Sequence, residues 1–337
     1  MKWYELSGNE SDIVLSTRVR LARNVAGYPF PSRMTPAQAK EFVTRAHDAI
    51  QGSAIGASFT RHDFDTMTEA DRGIFVEQHA ASKELANGKL PRALLLSDDE
   101  HISVMVNEED HLRIQVMGAG LCIDECLADA EKIDLLMDES LSYAFDERLG
   151  YLTACPTNLG CGLRLSVMLH LPTLTESGGI RSIIAQASKL GFAVRGIYGE
   201  GTQAEGAVYQ LSNALSLGRT ESETAARLKD VTMRIIETER KLRRKIAETN
   251  RMYLENRVYR ALGILSNARI MSSQEAIRLL SDLRMGAGVV APVSTTIIDR
   301  LLCEIRPYHV MRSAENTPKD PAARDIARAA LIRTYLQ

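Results

Sequence analysis

ISVMVNEEDHLRIQV, residues 102–116, decides what kind of sheet this chain builds. Ile102, Val104 and Val106 alternate with their neighbours, and so do Leu112, Ile114 and Val116. Apolar residues at every second position mark strands with one buried face. The segment Asn107–His111 then connects two antiparallel strands. It places Glu108, Glu109 and Arg113 at or near the tip of a hairpin.

Outward from this hairpin, strands and helices mix without a regular βαβ alternation, which favours an α+β fold over a doubly wound one. A helix is expected after Thr35, a capping residue, with Pro36 in its first position and Gly52 at its end. A second runs from Ile123 to Phe145, with acidic residues in its first turn. A third covers Ile180–Leu190 and is closed by Gly191. Phe192, Val194 and Val208 resume strand character around the glycine-rich loop Gly196–Gly206. The texture changes after Asn213. Thr220-Glu221-Ser222-Glu223 and Ser272-Ser273-Gln274-Glu275 read as capping boxes. Further helices are expected from Ser294 to Arg306 and from Asp320-Pro321 to the C-terminus. The expected fold is an α+β sheet domain (residues 1–245), then a small all-helical C-terminal domain joined near residue 245 (residues 246–337).

At 337 residues the chain can hold one large domain or two ordinary ones. Its net charge of −2 offers no global attraction to nucleic acid or anionic lipid, so anion binding must come from local clusters. The N-terminus lacks the apolar run of a signal peptide, and no stretch approaches a membrane span. A cytoplasmic protein is expected. Five cysteines, an odd count, argue against a disulfide framework. Cys122 and Cys126 lack a second pair at zinc-site spacing and read as buried small hydrophobes, so no metal site is expected.

Two blocks carry the chemistry: Ser16-Thr17-Arg18-Val19-Arg20-Leu21-Ala22-Arg23-Asn24 and Cys155-Pro156-Thr157-Asn158-Leu159-Gly160. In a strand, Arg18 and Arg20 face one side and Val19 the other. Guanidinium forks bind phosphate oxygens bidentately and keep their charge. Arg113, Arg164 and Arg195 sit beside strands or turns from which they can join such a cluster. No P-loop is present. A solvated strand face of Arg18, Arg20 and Arg23 remains the plain alternative. Glu109 and Glu200 lie in loops close to these arginines. If they converge, they cradle a planar guanidinium, and a carboxylate along an N–H takes the proton as an N–P bond forms. Cys155 could add a thiolate, or be a packed core residue.

Ser-Thr-Arg-Val-Arg with a following Arg-Asn, Asn-Glu-Glu-Asp-His-Leu-Arg, Cys-Pro-Thr-Asn-Leu-Gly and Val-Arg-Gly-x-x-Gly-Glu, in this order, resemble the phosphagen (guanidino) kinases over roughly residues 12–243. That resemblance implies an antiparallel sheet flanked by helices and the use of ATP, with Mg2+ held mainly through the nucleotide. It places Arg18, Arg20, Arg113, Arg164 and Arg195 on the phosphates and His79 at the nucleoside. It also puts the stretches Ser16, Thr17, Val19; Leu165, Ser166, Val167, Met168; and Gly196, Ile197, Tyr198, Gly199 around the nucleotide. Glu109 and Glu200 fall on the guanidinium-binding carboxylates, and Cys155 on the reactive cysteine.

The departures matter. Only fifteen residues precede Ser16, where small-molecule members carry a helical domain that covers the metabolite. Gly201 and Met168 stand where those members commonly have histidines. These features are similar to the branch that phosphorylates arginine side chains in proteins and marks them for a Clp-type protease. That branch implies protein substrates, an unfoldase and adaptor as partners, and a phosphoarginine pocket formed here by Arg324, Asp325 and Arg328. Helical tails with apolar stripes commonly self-associate, so a homodimer is expected. An ordinary charged helix is the alternative at those residues. A small-molecule guanidino kinase and a non-catalytic phosphoarginine reader are the rival functions.

Overall fold

In the computed structural model, which describes residues 1–197, 204–313 and 320–336, β1 (Val14–Arg23) lies at the centre of an eight-stranded sheet. It is followed by α1 (Pro36–Gln51), β2 (Phe59–Asp63), α2 (Glu69–Glu77), α3 (Lys83–Asn87), β3 (Ala93–Ser97), β4 (Ile102–Val106) and β5 (Leu112–Ala119). Then come α4 (Ile123–Leu141), the short ribbon β6 (Phe145–Asp146) and β7 (Gly150–Tyr151), β8 (Leu163–His170), α5 (Pro172–Glu176), α6 (Ile180–Lys189), β9 (Phe192–Gly196) and β10 (Val208–Asn213). The sheet order is β2-β3-β4-β5-β1-β8-β10-β9, with every pair antiparallel. After α7 (Glu221–Thr249) the rest is helical: α8 (Arg251–Asn267), α9 (Ser273–Gly286), α10 (Thr295–Glu304), α11 (Pro307–Ser313) and α12 (Pro321–Leu336).

The two faces of β1 differ, and that difference positions the site. Thr17, Val19 and Leu21 are buried in a core shared with α1, α4 and α7. Arg18 and Arg20 turn to the opposite face. Arg23, two residues on from Leu21, also turns into the core, where it meets Asp134 at 2.7 Å and lies 3.5 Å over the Tyr151 ring. The plain alternative of one solvated row of three arginines is therefore wrong, because strand alternation separates Arg23 from the others.

The local signals act where the sequence places them. Thr35 accepts the Gln38 N–H at 3.3 Å, and Thr220 forms the full capping box of α7. Ser272 accepts from Glu275 N at 3.2 Å. The second helix is shorter than expected. Ser142 adopts φ +58°, which ends α4 at Leu141, and Asp138 takes the Tyr143 N–H at 2.8 Å as the chain turns away. Phe145 belongs to β6 instead.

A second core, built on Leu254, Val258, Leu265, Leu280, Leu283, Leu301 and Ile332, serves the helices after α7. α7 itself runs on to Thr249, past the expected boundary at 245, and Ile246 and Ala247 already pack on this second core. Between the two cores lies a buried polar knot. Glu239, fully buried, accepts from Thr173 N (3.2 Å) and Leu174 N (2.9 Å) and pairs with Arg243 at 2.9 Å. Arg243 in turn donates to the His170 carbonyl at 2.9 Å, and His170 Nε2 meets Ser281 Oγ at 2.8 Å. Glu239→Ala leaves the largely buried Arg243 without its carboxylate and two N–H groups unpaired. A loss of about 3–5 kcal/mol is expected in urea unfolding. A loss below about 1 kcal/mol would show that the knot contributes little.

Candidate active site

The open face of the sheet carries a row of cations. Register sets Arg20 opposite Arg164 on β8 and Gln115 on β5, Arg113 opposite Ala22, and Arg195 opposite Gln210. Arg18, Arg20, Arg113, Arg164 and Arg195 all line one cleft of about 690 Å3. Arg18 donates to Gln210 Oε1 at 3.0 Å. Among the described residues neither Arg18, Arg20 nor Arg164 has a carboxylate partner, and Arg20 Nε and Arg164 Nε are buried without any acceptor. Burial, then the charges of Arg164 and Arg113, push Arg18 down to about 10. Burial and the neighbouring arginines lower Arg20 and Arg164 as well. Cations gathered at this density, three of them without a carboxylate partner, form a site for a polyanion.

The nucleotide stretches read from the sequence are corrected in one respect. Alternation turns Thr17, Val19, Leu165 and Val167 into the core, each with an exposure of 0 %. Only Ser16, Arg18, Arg20, Arg164, Ser166 and Met168 reach the open face. Ser16, Arg18, Ser166 and Met168 line a small recess with His79, Met117 and Gln210. His79, at φ +61°, gives its carbonyl to Gln115 Nε2 at 2.6 Å. Burial, then Arg18 and Arg306, hold its ring neutral by lowering it to about 3. Gly196 and Ile197 line the main cleft. Tyr198, Gly199 and Glu200 lie outside the described residues.

The carboxylates come from the 107–111 hairpin tip. Glu109 meets Arg113 at 3.3 Å and keeps a side-chain exposure of 43 %. Burial and the neighbouring Asp110 raise its carboxyl, against the pull of Arg113. Glu108 is fully buried, pairs with Arg113 at 2.8 Å and accepts from Ser82 Oγ. Its Oε2 has no partner among the described residues. Cys155 lines the same cleft and its Sγ lies 3.0 Å from Thr157 Oγ1.

The sequence reading did not assign the residues that hold these groups in place. Asn24 Nδ2 donates to Asp110 Oδ1 at 2.6 Å and its Oδ1 accepts from His111 N at 2.9 Å. Asp110 also takes the Ala154 N–H at 2.7 Å, fastening the Cys155 segment to the hairpin tip. His111 Nδ1 accepts from Val25 N at 3.0 Å. Gly162, at φ +67°, lets this segment pass β1, since a Cβ there would lie 2.7 Å from the Ala22 carbonyl. The signal was present: Asn24 sits inside the 16–24 motif and Asp110 and His111 inside the 107–113 motif, but they act as rivets rather than ligands.

In α12, Arg328 is buried. It donates to the Ile305 carbonyl at 2.8 Å and the Met271 carbonyl at 3.0 Å, and pairs with Asp325. The expected clamp of two guanidinium forks is therefore corrected to one, because the Arg328 fork is already committed. Cys122 and Cys126 stand 3.5 Å apart, and no group of three or more metal-binding side chains occurs among the described residues. No helix among them is long and apolar enough to cross a membrane.

An antiparallel sheet whose open face joins unpaired arginines to hairpin carboxylates defines a guanidino kinase. Residues 41–242 match the ATP:guanido phosphotransferase C-terminal catalytic domain, and the chain belongs to that family. Residues 251–337 match the protein-arginine kinase McsB C-terminal domain. The chain is 44 % identical over 330 residues to the protein-arginine kinase of Caldanaerobacter subterraneus subsp. tengcongensis, covering 97 % of this chain and 98 % of the relative. Against that of Symbiobacterium thermophilum it is 44 % identical over 340 residues, covering 99 % and 96 %. Its enzymatic class is protein-arginine kinase. The crystal structure of lombricine kinase is similar at a TM-score of 0.62 and 26 % identity, over 70 % of this chain and 68 % of that one. The substrate-free duplicated taurocyamine kinase from Schistosoma mansoni is similar at 0.61 and 25 %, over 82 % and 41 %.

Proposed function

We propose that this cleft moves the γ-phosphoryl group of ATP in line to a guanidine nitrogen of an arginine side chain on a protein. The observation that carries the reading is the meeting of five arginines and the Glu109 carboxylate in one open cleft. The arginines hold the phosphates, and the nucleoside lies toward His79 and Met168. Glu109, with Glu200 by its match to the family motif, grips the acceptor. As the N–P bond forms and the bond to the β-phosphate oxygen breaks, the guanidinium proton passes to a carboxylate and ADP leaves. The work is alignment and charge stabilisation. Cys155 steers the guanidinium electrostatically.

Mg2+ fits this arrangement without a protein cage. The nucleotide would hold it through its phosphate oxygens, with the half-exposed Glu109 carboxylate in the same cleft. When bound, it neutralises phosphate charge.

In the same reading, residues 1–245 form the catalytic domain and 246–337 a regulatory one, in the cytoplasm. Arg324 and Asp325 bind phosphoarginine while Arg328 positions Asp325. The exposed Met252, Tyr253 and Tyr259 of α8 support a homodimer. Phosphorylated proteins are handed to a Clp-type unfoldase, with an adaptor in attendance. The test is mass spectrometry of a protein substrate after incubation with ATP, without acid, comparing wild type with Glu200→Ala. Phosphoarginine is expected only with the wild type. Phosphate on hydroxyl side chains alone would overturn the reading.

A further inference from the structure

The acceptor end of the cleft has an acidic lip that the reaction leaves unused. Glu84, in the first turn of α3, lines the same cleft as Glu108, Glu109, Cys155 and Asn158. It is exposed and has no hydrogen bond or ion pair among the described residues. It also stands close enough to Glu109 to add to the burial and the Asp110 charge that raise that carboxyl.

The lip is held at both ends. Ser82 accepts the Leu85 N–H at 2.9 Å and donates to Glu108. Arg92 reaches back to the Leu85 carbonyl at 2.5 Å and the Ala86 carbonyl at 3.2 Å. Glu84 is therefore presented at a fixed place relative to the acceptor carboxylates. A second observation points to a cationic ligand. The Glu108 side chain has an exposure of 0 %, yet its Oε2, in the cleft wall, has no partner among the described residues. Arg113 is shared by Glu108 and Glu109, and Glu84, lining the same cleft, has no cation of its own among the described residues. One acceptor guanidinium does not balance them.

Resting on the kinase reading above, we infer that Glu84 recognises a second cationic side chain in the acceptor protein, two residues from the arginine being phosphorylated. An arginine inserted into the cleft leaves its main chain at the mouth. In an extended acceptor, side chains two apart lie on the same face about 7 Å from one another. A lysine or arginine there meets the lip, whereas an acidic residue is repelled by it.

The experiment uses the full chain, ATP and a set of peptides. Each peptide has one acceptor arginine in a neutral context, with a single lysine moved through the flanking positions. For the wild type, kcat/KM is expected to rise about three- to fivefold when the lysine lies two residues away, the yield of one solvent-exposed ion pair. Glu84→Gln should flatten this profile, and Glu84→Lys should turn the gain into a penalty. A wild-type profile without a gain overturns the inference. So does a Glu84→Gln profile that keeps the gain, or one lowered equally for every peptide. Turnover of the neutral peptide by the wild type tests the kinase reading separately. No phosphoarginine on any peptide sinks that reading, whereas phosphorylation with a flat profile sinks only the role of Glu84.

Discussion

Glu109→Gln is expected to lower phosphoarginine formation on a protein substrate by about 10²- to 10⁴-fold, with the fold intact. That is the usual contribution of a positioned proton acceptor. Glutamine keeps the size of the side chain and one acceptor oxygen, so it holds a guanidinium poorly and takes no proton. The variant keeps the Arg113–Glu108 pair at 2.8 Å, so the cation beside the phosphates stays oriented. ATP affinity should therefore hold while kcat falls. The pH profile gives an independent check. Burial and Asp110 raise the Glu109 carboxyl. A base must be ionised to act, so the acid limb of the wild-type profile is shifted upward from that of a free glutamate. In the Gln variant that limb disappears from the residual rate. Near-normal turnover by Glu109→Gln, or an unmoved acid limb, would remove Glu109 from the chemistry.

How much of this was legible in the sequence follows from the range of the forces involved. Strand alternation is local, so residues 102–116 gave away their own pairing and β1 gave away the common face of Arg18 and Arg20. Capping is local too, and Thr35 and Thr220 act as read. The errors arise where a distant partner decides. Ser142 stops α4 in a left-handed conformation because Tyr143 must leave toward Asn24, whose carbonyl accepts from Ala144 N at 2.7 Å. Arg328 looked like a ligand by its spacing from Arg324. Its fate is set by the Ile305 and Met271 carbonyls, which only packing brings to it. The stretch readings of 16–20 and 164–168 treated neighbours as equals, although Thr17, Val19, Leu165 and Val167 face the core. Glu84 gave no sign, since nothing local links α3 to a hairpin tip more than twenty residues away; the Ser82–Glu108 contact makes that link.

Arg20→Met should make the empty protein more stable and the enzyme nearly dead. Arg20 is among the most strongly lowered cations in the cleft, through burial and then the charges of Arg18, Arg113 and Arg164. Its Nε is buried with no acceptor. Folding therefore opposes its charge, and only a bound polyanion offsets the cost. Methionine retains much of the aliphatic stem and removes the repulsion. Replacing uncompensated buried charge with apolar groups typically stabilises by about 1–4 kcal/mol, and the low end applies here because the cleft is open to water. Saturating ATP should raise the wild-type unfolding midpoint, with about 2.7 kcal/mol expected at a hundredfold excess over Kd. It should leave Arg20→Met unmoved. Loss of one fixed donor to the transferring group also costs about 10²- to 10³-fold in rate. Thermal unfolding with and without ATP therefore gives a crossed pattern, the variant being the more stable when empty and the wild type when filled. A variant that is less stable when empty, or that still gains stability from ATP, contradicts the claim that this sheet face is strained until phosphate arrives.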